Sequence, residues 1–564
     1  MGFEEMNLHE GGTAFAGAVP SGASERLLLA GTKGAVEHLG NVLVLGLGSS
    51  GKSVARYCKD MLGSRVDGLF IAAGGRTEAS EAFVAELLAD DARIVAEFGD
   101  DAVGTLAQRV DGGKFDTCIV SPGIPFWSQL YTEGQQASDC LMSEVEFAWR
   151  ESAADSVWVA ITGTNGKTTT TSATAHVLAE SGLAAAAVGN IGDVCIDAVA
   201  AGETSVYVAE VSSYQLASTI DFAPDVAVLL NITPDHIHWH RTLEAYAQAK
   251  FKVLDNLGRG CGARAAGNAC GDGAEDVEVA SDRTDSGETA QGKIVRPVAI
   301  LDATNDVVRA KVRELKALSD EERGFAYIPM GTADGIRGDM RARCGAANAA
   351  FLDADDMLHV AYDGVDHALL GASDLQILGT HNVSNAIAAA SVAVALGVSD
   401  EDIARGLSSF APLPHRVEPV GSVAGVKCYN DSKATNVDAT IKALESFPKA
   451  NIVVMLGGDD KDTDLTDLVR AAHAHAKAAV CFGAGAARFH EAFERAADAA
   501  PEGFELLLAT NMESALDVAL SVADSGDMVL LSPACASFDE FRSFEHRGDV
   551  FRQLVKERMK DRGV

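Results

Sequence analysis

Positive charge is scarce in this sequence. Across 564 residues, 46 Lys and Arg face 81 Asp and Glu, a formal net charge of −35 at pH 7. A surface that acidic repels nucleic acid and anionic lipid over most of its area, so neither is an expected partner. An anionic small molecule could bind only where positive charge is gathered locally. Long apolar runs are missing too: nothing approaches the ~18 consecutive apolar residues of a membrane span. The opening MGFEEMNLHE is acidic and lacks the basic-then-apolar layout of a signal peptide. Cys-x-x-Cys pairs are absent. The ten cysteines are scattered singly, which predicts reduced, mostly buried thiols in a cytoplasmic protein. A cytoplasmic chain with no membrane span, taken as a monomer, is the expectation.

What is present is ordinary globular material, 47% hydrophobic and 23% charged. At roughly 100–200 residues per domain the length suggests about three or four domains. Residues 41–45 (NVLVL) form a β-type run that ends in Gly46-Leu47-Gly48-Ser49-Ser50-Gly51 before a helical pattern. Strand-like runs follow at 69–72 and 117–120, with helical periodicity at 78–89. A second unit opens at 157–161 (VWVAI) and continues with strands at 206–211 and 226–231. After Leu413-Pro414-His415-Arg416, strands at 426–429, 452–456, 479–482 and 528–532 again alternate with helices. The reading is α/β, with three successive domains of mainly parallel sheet: Rossmann-like over 1–152, P-loop ATPase-like over 153–410 and Rossmann-like over 411–564. Residues 258–292, rich in Gly, Ala, Asp and Ser, read as a solvated acidic insertion, and 331–357 as a milder one.

The strongest motif is Thr162-Gly163-Thr164-Asn165-Gly166-Lys167-Thr168-Thr169. Backbone N–H groups, a Lys and a hydroxyl at a helix start are what phosphates and Mg²⁺ require. It is a shorter variant of the strict phosphate loop, which would place Gly at 161, where Ile161 stands. The Gly46–Gly51 turn has no acid about 20 residues on to take a ribose, so hydride transfer loses support. A diphosphate ligand at that turn and a purely structural role both remain open. Glu210, ending a β run before Ser212 and Ser213, is either a helix cap or a metal ligand beside the phosphate loop. In Asn231-Ile232-Thr233-Pro234-Asp235-His236-Ile237-His238-Trp239-His240, all three His could hold zinc in a hydrolase, or only Asp235 and His236 could be functional. Lys250, in LEAYAQAKFKVL, would by default be a surface lysine.

With Leu378-Gly379-Thr380-His381-Asn382-Val383-Ser384-Asn385 and His415-Arg416 added, the chain resembles the Mur ligase family of ATP-dependent amide-forming enzymes. Three C-terminal segments resemble its D-glutamate-adding branch: Asn430–Asn436, Leu456–Lys461 and Leu531–Phe541. The resemblance implies ATP and Mg²⁺ as cofactors, and UDP-N-acetylmuramoyl-L-alanine and D-glutamate as small-molecule substrates in peptidoglycan precursor synthesis. It implies that Gly163 to Thr169 hold ATP, with Lys167 on its phosphates, helped by Asn382, Arg416 and Asp431. Thr168 and Glu210 would hold one Mg²⁺ and His236 would lie near a second. Lys250 would be carbamylated and bridge metal. Thr435, Lys461, Ser537 and Phe544 would surround D-glutamate. Ser49, Ser50, Gly123 and Asn190 would touch the UDP-sugar, with Arg76 beside it. The family's adenine-site acids appear here as Asp302-Ala303-Thr304-Asn305-Asp306, a departure from its usual pattern. Competing readings are another Mur-type ligase, a metal-dependent hydrolase on His236, His238 and His240, and a non-catalytic nucleotide-binding scaffold.

Overall fold

The computed structural model describes residues 27–89, 91–257, 296–331, 339–447, 451–460 and 463–561. The expected insertion at 258–292 and Lys461 lie outside the described residues. The described residues up to Ala154 make one compact unit, and those from Asp155 on make a second.

The first unit is built on five strands: β1 (Gly40–Leu45), β2 (Val66–Ala73), β3 (Ile94–Phe98), β4 (Thr117–Val120) and β5 (Leu141–Ser143). They pair in parallel in the order β3-β2-β1-β4-β5. The order reverses at β1, so the turns after β1 and β4 flank a topological switch point, where open α/β sheets bind ligands.

The second unit carries two sheets. The first runs through β6 (Val157–Thr162), β7 (Ala185–Gly189), β8 (Val206–Glu210), β9 (Val226–Leu229), β10 (Val298–Asp302), β11 (Ala326–Gly331), β12 (Ala349–Leu352), β13 (Met357–Tyr362) and β14 (Val365–Gly371). Their order is β14-β13-β12-β11-β10-β9-β6-β8-β7, with β12 to β14 antiparallel. Residues 331–357 therefore need correcting. Where residues are described, the expected loop holds a helix (Met340–Cys344) and β12, whose Ala349, Ala350, Phe351 and Leu352 are all buried. Its four apolar side chains form an interior strand between β11 and β13 instead of meeting water.

The last sheet comprises β15 (Glu418–Val423), β16 (Val426–Asn430), β17 (Ile452–Gly457), β18 (Ala476–Phe482), β19 (Glu505–Leu508) and β20 (Met528–Leu531). Its order is β15-β16-β20-β17-β18-β19. Ile452, Val454 and Leu456 enter one core, and Val453 and Met455 enter another. Alternate side chains point to opposite faces, so a strand covered on both sides reads as one apolar run.

No helix of the described residues is long and apolar enough to cross a membrane. In the first unit, Arg65 donates from both terminal nitrogens to Glu151, at 2.6 and 2.8 Å, and the Tyr57 hydroxyl adds a third bond at 2.9 Å. The Glu151 side chain is only 2% exposed. Glu151→Ala would remove the carboxylate shared by the guanidinium and the phenol, leaving the Arg65 charge unpaired with Val36 O still accepting from it at 2.7 Å. We expect a loss of about 3–5 kcal/mol, read as a lower denaturant midpoint, with Glu151→Gln intermediate.

Candidate active site

Both halves of the phosphate loop follow from β6. Register places Ile161 beside Glu210 of β8 and Thr162 beside Leu229 of β9, so the loop, Glu210 and Asn231 share the carboxyl edge of the sheet. Asn231 pins the loop. Its carbonyl accepts from Thr164 N at 2.7 Å, its Oδ1 accepts from Asn165 N at 2.8 Å, and its Nδ2 donates to Asn165 O at 3.0 Å. Gly166, at φ +85°, turns the chain into the helix Lys167–Glu180. A Cβ there would lie 2.5 Å from Asn385 Oδ1 at a positive φ, so a side chain would be strained and would push Asn385 aside. The opening N–H groups of that helix are left for an anion. Lys167 folds back onto its loop and donates to Gly163 O and Thr164 O, each at 2.9 Å.

Glu210 is not a helix cap. Ser212 does that work, paired with Gln215 in a capping box. Glu210 is buried; its Oε1 accepts from Asn190 Nδ2 at 2.8 Å, and its Oε2 is buried with no hydrogen-bond partner. An orphaned carboxylate oxygen at a phosphate loop is a fitting ligand for a hard cation. Asn190, expected at the UDP-sugar, thus belongs to the second unit and holds Glu210.

Lys250 is not a surface lysine. It is 1% exposed, with Nζ 2.7 Å from Gly163 O and 3.4 Å from Thr162 Oγ1. Burial, then the charge of Lys167, holds its amine well below the usual lysine range. His236 caps the short helix Ile237–His240 at φ +53°, with its N–H on Asp235 Oδ1 at 2.8 Å.

The zinc reading is overturned, since no group of three or more His, Cys, Asp or Glu among the described residues could hold a metal. His240 is buried on Ser213 Oγ at 2.9 Å and stacks on Tyr214, while His238 is exposed. Burial pushes the His240 imidazole down to about 4.

Arg416 joins this cluster from the linker before β15. With Asn382, Thr169, Ile377, Leu378, Leu413 and Tyr429 it lines a cavity of mixed polar and apolar side chains. Asn382 Oδ1 accepts from Asn385 Nδ2 at 3.0 Å, and Asn385 Oδ1 accepts from Thr170 Oγ1 at 3.1 Å, tying this wall to the phosphate-loop helix. Asp302 ends β10 as a buried carboxyl pushed up to about 6 by that burial, and Asn305 caps the next helix.

Asp431 is also buried and is pushed up to about 7. Its oxygens accept from Val417 N at 3.2 Å and Ser532 Oγ at 2.7 Å. Lys167 feels the charge of Arg416, Lys250 that of Lys167, and Lys433 those of Arg416 and Lys167, while all four feel Glu210. In a chain of net charge −35, this is a local concentration of cations.

In the last sheet, β16, β20 and β17 are neighbours, so the segments after them emerge side by side. Thr435 lies in the first and buried Ser537 in the second. Phe544 opens the final helix, with Lys433 Nζ 3.8 Å from its ring centre. Arg547, not singled out from the sequence, holds these segments together. It is fully buried and donates to Ser432 Oγ and Ser432 O at 2.9 and 2.8 Å, and to Ala536 O and Cys535 O at 3.0 and 3.1 Å. The only signal was its place three residues after Phe544.

In the first unit, Ser49 and Ser50 open the helix after β1, and Gly123 follows β4. A Cβ on Gly51 would sit 2.0 Å from Gly46 O, which explains that glycine by close packing. Arg76 is exposed, over the Phe98 ring at 5.0 Å and 3.4 Å from Glu81.

Comparison with known proteins agrees with this arrangement. The family model described as "Mur ligase middle domain" matches residues 161–267, and "Mur ligase, glutamate ligase domain" matches 415–535. The UDP-N-acetylmuramoylalanine–D-glutamate ligase of Koribacter versatilis is 33% identical, covering 91% of this chain and 97% of the relative. The enzymes of that name from Salinibacter ruber (37%, covering 83% and 88%) and Cupriavidus pinatubonensis (31%, covering 93% and 98%) are similar over comparable spans. A phosphate loop pinned by Asn231, a buried carboxylate beside it and likeness over nearly the whole length lead to one conclusion: the chain belongs to the Mur ligase family of ATP-dependent amide-forming enzymes.

Proposed function

We propose that this enzyme joins D-glutamate to UDP-N-acetylmuramoyl-L-alanine in the cytoplasm, driven by ATP, as a step of peptidoglycan precursor synthesis. The observation that carries the reading is the gathering of Lys167, Lys250, Arg416 and Lys433 about the phosphate loop of an otherwise acidic chain. Both substrates and ATP are anions, and only such a cluster could receive them. The relatives' D-glutamate ligase activity supports the choice of acceptor.

A carboxylate resists attack by an amine until one of its oxygens becomes a leaving group. In the proposed reaction, the alanyl carboxylate takes the γ-phosphoryl group of ATP, releasing ADP, and the D-glutamate amine displaces phosphate from the acyl carbon. The chain's part is positioning and charge neutralisation. Lys167 and the opening N–H groups of Lys167–Glu180 would hold the phosphates, and Arg416 and Asn382 the nucleoside in the cavity they line. Thr168 and Glu210 would hold one Mg²⁺, and His236 and Lys250 a second. Bound Mg²⁺ would neutralise charge on the transferring phosphoryl group. Glu210 is kept in place for this by Asn190. Thr435, Ser537 and Phe544, on segments tied together by Arg547, would receive D-glutamate, with Lys461 alongside. Ser49, Ser50, Gly123 and Arg76 would take the UDP-sugar on the first unit.

The test is phosphate release from ATP. We expect it to require both D-glutamate and the UDP-sugar, with L-glutamate and meso-diaminopimelate near background. Equal turnover with meso-diaminopimelate would point to another Mur-type ligase. ATP binding without acceptor-dependent release would favour a scaffold.

A further inference from the structure

Among the hydrogen bonds of the phosphate loop, one leaves the middle sheet altogether. The Asn165 side chain donates from Nδ2 to Asp438 Oδ2. Asp438 lies in the first turn of the helix Val437–Glu445, which Asn436 caps through Ala439 N and which directly follows the Asp431–Asn436 segment. Asn165 has no main-chain freedom, since Asn231 holds both its N–H and its carbonyl. Its side chain therefore meets Asp438 from a fixed base. Lys442 steadies the carboxylate from one turn away at 3.0 Å.

The far end of the same helix is docked too. Ser446 Oγ lies 3.4 Å from His381 Nδ1, at the start of the helix Thr380–Ala395 that carries Asn382 and Asn385. Both contacts join the last sheet's domain to the groups around ATP.

We propose, on the reading of the function above, that Asp438 is a positioning residue that locks the D-glutamate segment to the phosphate loop through Asn165. The amine has to reach an acyl carbon whose phosphoryl group came from ATP held on that loop. An error of about 1 Å between the two costs about 10²-fold in rate, so a direct link between the segments matters to turnover. Asp438 itself is not part of the phosphate-binding machinery, because it bears the wrong charge for it.

Purified full-length Asp438→Ala should fold normally, because the side chain is 37% exposed and Asn436 still caps the helix. Its kcat should fall about 10- to 100-fold, with KM for ATP changed less than about threefold. Asp438→Asn retains an acceptor oxygen for Asn165 Nδ2 and should keep about half of the activity or more. The lock also predicts non-additivity: adding Asp438→Ala to Asn165→Ala should cost less than about threefold further. A kcat within about twofold of wild type for Asp438→Ala, or penalties that multiply in the double variant, would overturn the lock. So would equal losses in the Asn and Ala variants. Absence of D-glutamate-dependent phosphate release by the wild-type enzyme would instead overturn the function on which the proposal rests.

Discussion

Lys167→Ala should leave the fold intact and lower turnover by at least ~10³, because one preorganised cationic donor at a developing charge is typically worth that much. Lys167 Nζ now rests on Gly163 O and Thr164 O, and Gly163 O loses little by its removal because Lys250 also donates to it at 2.7 Å. The loop's shape comes from Gly166 and from Asn231, neither of which depends on the lysine. Burial, and then Arg416, pull the Lys167 pKa below its ordinary value. An arriving phosphate would oppose both effects, which gives the ammonium more to gain from ATP than from its present carbonyls. Phosphate release and thermal midpoint, measured together, check this. A variant with an unchanged midpoint and more than a tenth of wild-type turnover would end the assignment of Gly163–Thr169 as the phosphate site.

Much of the fold was legible because parallel strands covered on both faces read as short apolar runs, although Val298–Asp302 and Ala326–Gly331, just as buried, were not picked out among the neighbouring biased segments. NVLVL, VWVAI and NIVVML are apolar at every position or nearly so, and each became a central strand. The other elements that escaped notice have different physics. The strand Ala185–Gly189 is a run of alanines, as good for a helix as for a sheet. The strands Met357–Tyr362 and Val365–Gly371 alternate and lie at a sheet edge, half exposed. Pairing order is a tertiary property, so nothing local revealed that the last strand, Met528–Leu531, lies between Val426–Asn430 and Ile452–Gly457.

The site divides the same way. The glycines and lysine of the phosphate loop are spaced by local backbone geometry and could be read directly. The choice between cap and ligand at Glu210 needed the hydrogen bonds of Ser212, which only the fold supplies. Arg547 could not be found from spacing, because its partners are carbonyls of segments that meet only through the sheet.

Lys250→Ala should be nearly inactive, and a short-chain carboxylic acid added to the assay should restore part of its rate. Lys250 projects from the helix Leu243–Phe251 into a buried position against Gly163 O and Thr162 Oγ1, at the root of the phosphate loop. A permanent ammonium there is disfavoured twice, by burial and by Lys167, so the amine gives up its proton far more readily than an exposed lysine. The neutral amine is the form that adds CO₂, its nitrogen bonding to the carbon and one proton being released. The product is a carboxylate on a long stem. That change turns a side chain that repels Mg²⁺ into an oxygen donor that hard cations accept, as the proposed role requires. A Glu at this position, shorter by several bonds, would fall short, so Lys250→Glu should not substitute. Deleting a plain cation would predict something else, namely rescue by an added amine and none by an acid. Full activity in Lys250→Ala would exclude any role in catalysis. Rescue by acetate or propionate that saturates with concentration, and fails in the Lys167→Ala background, would place the missing carboxylate beside the phosphates.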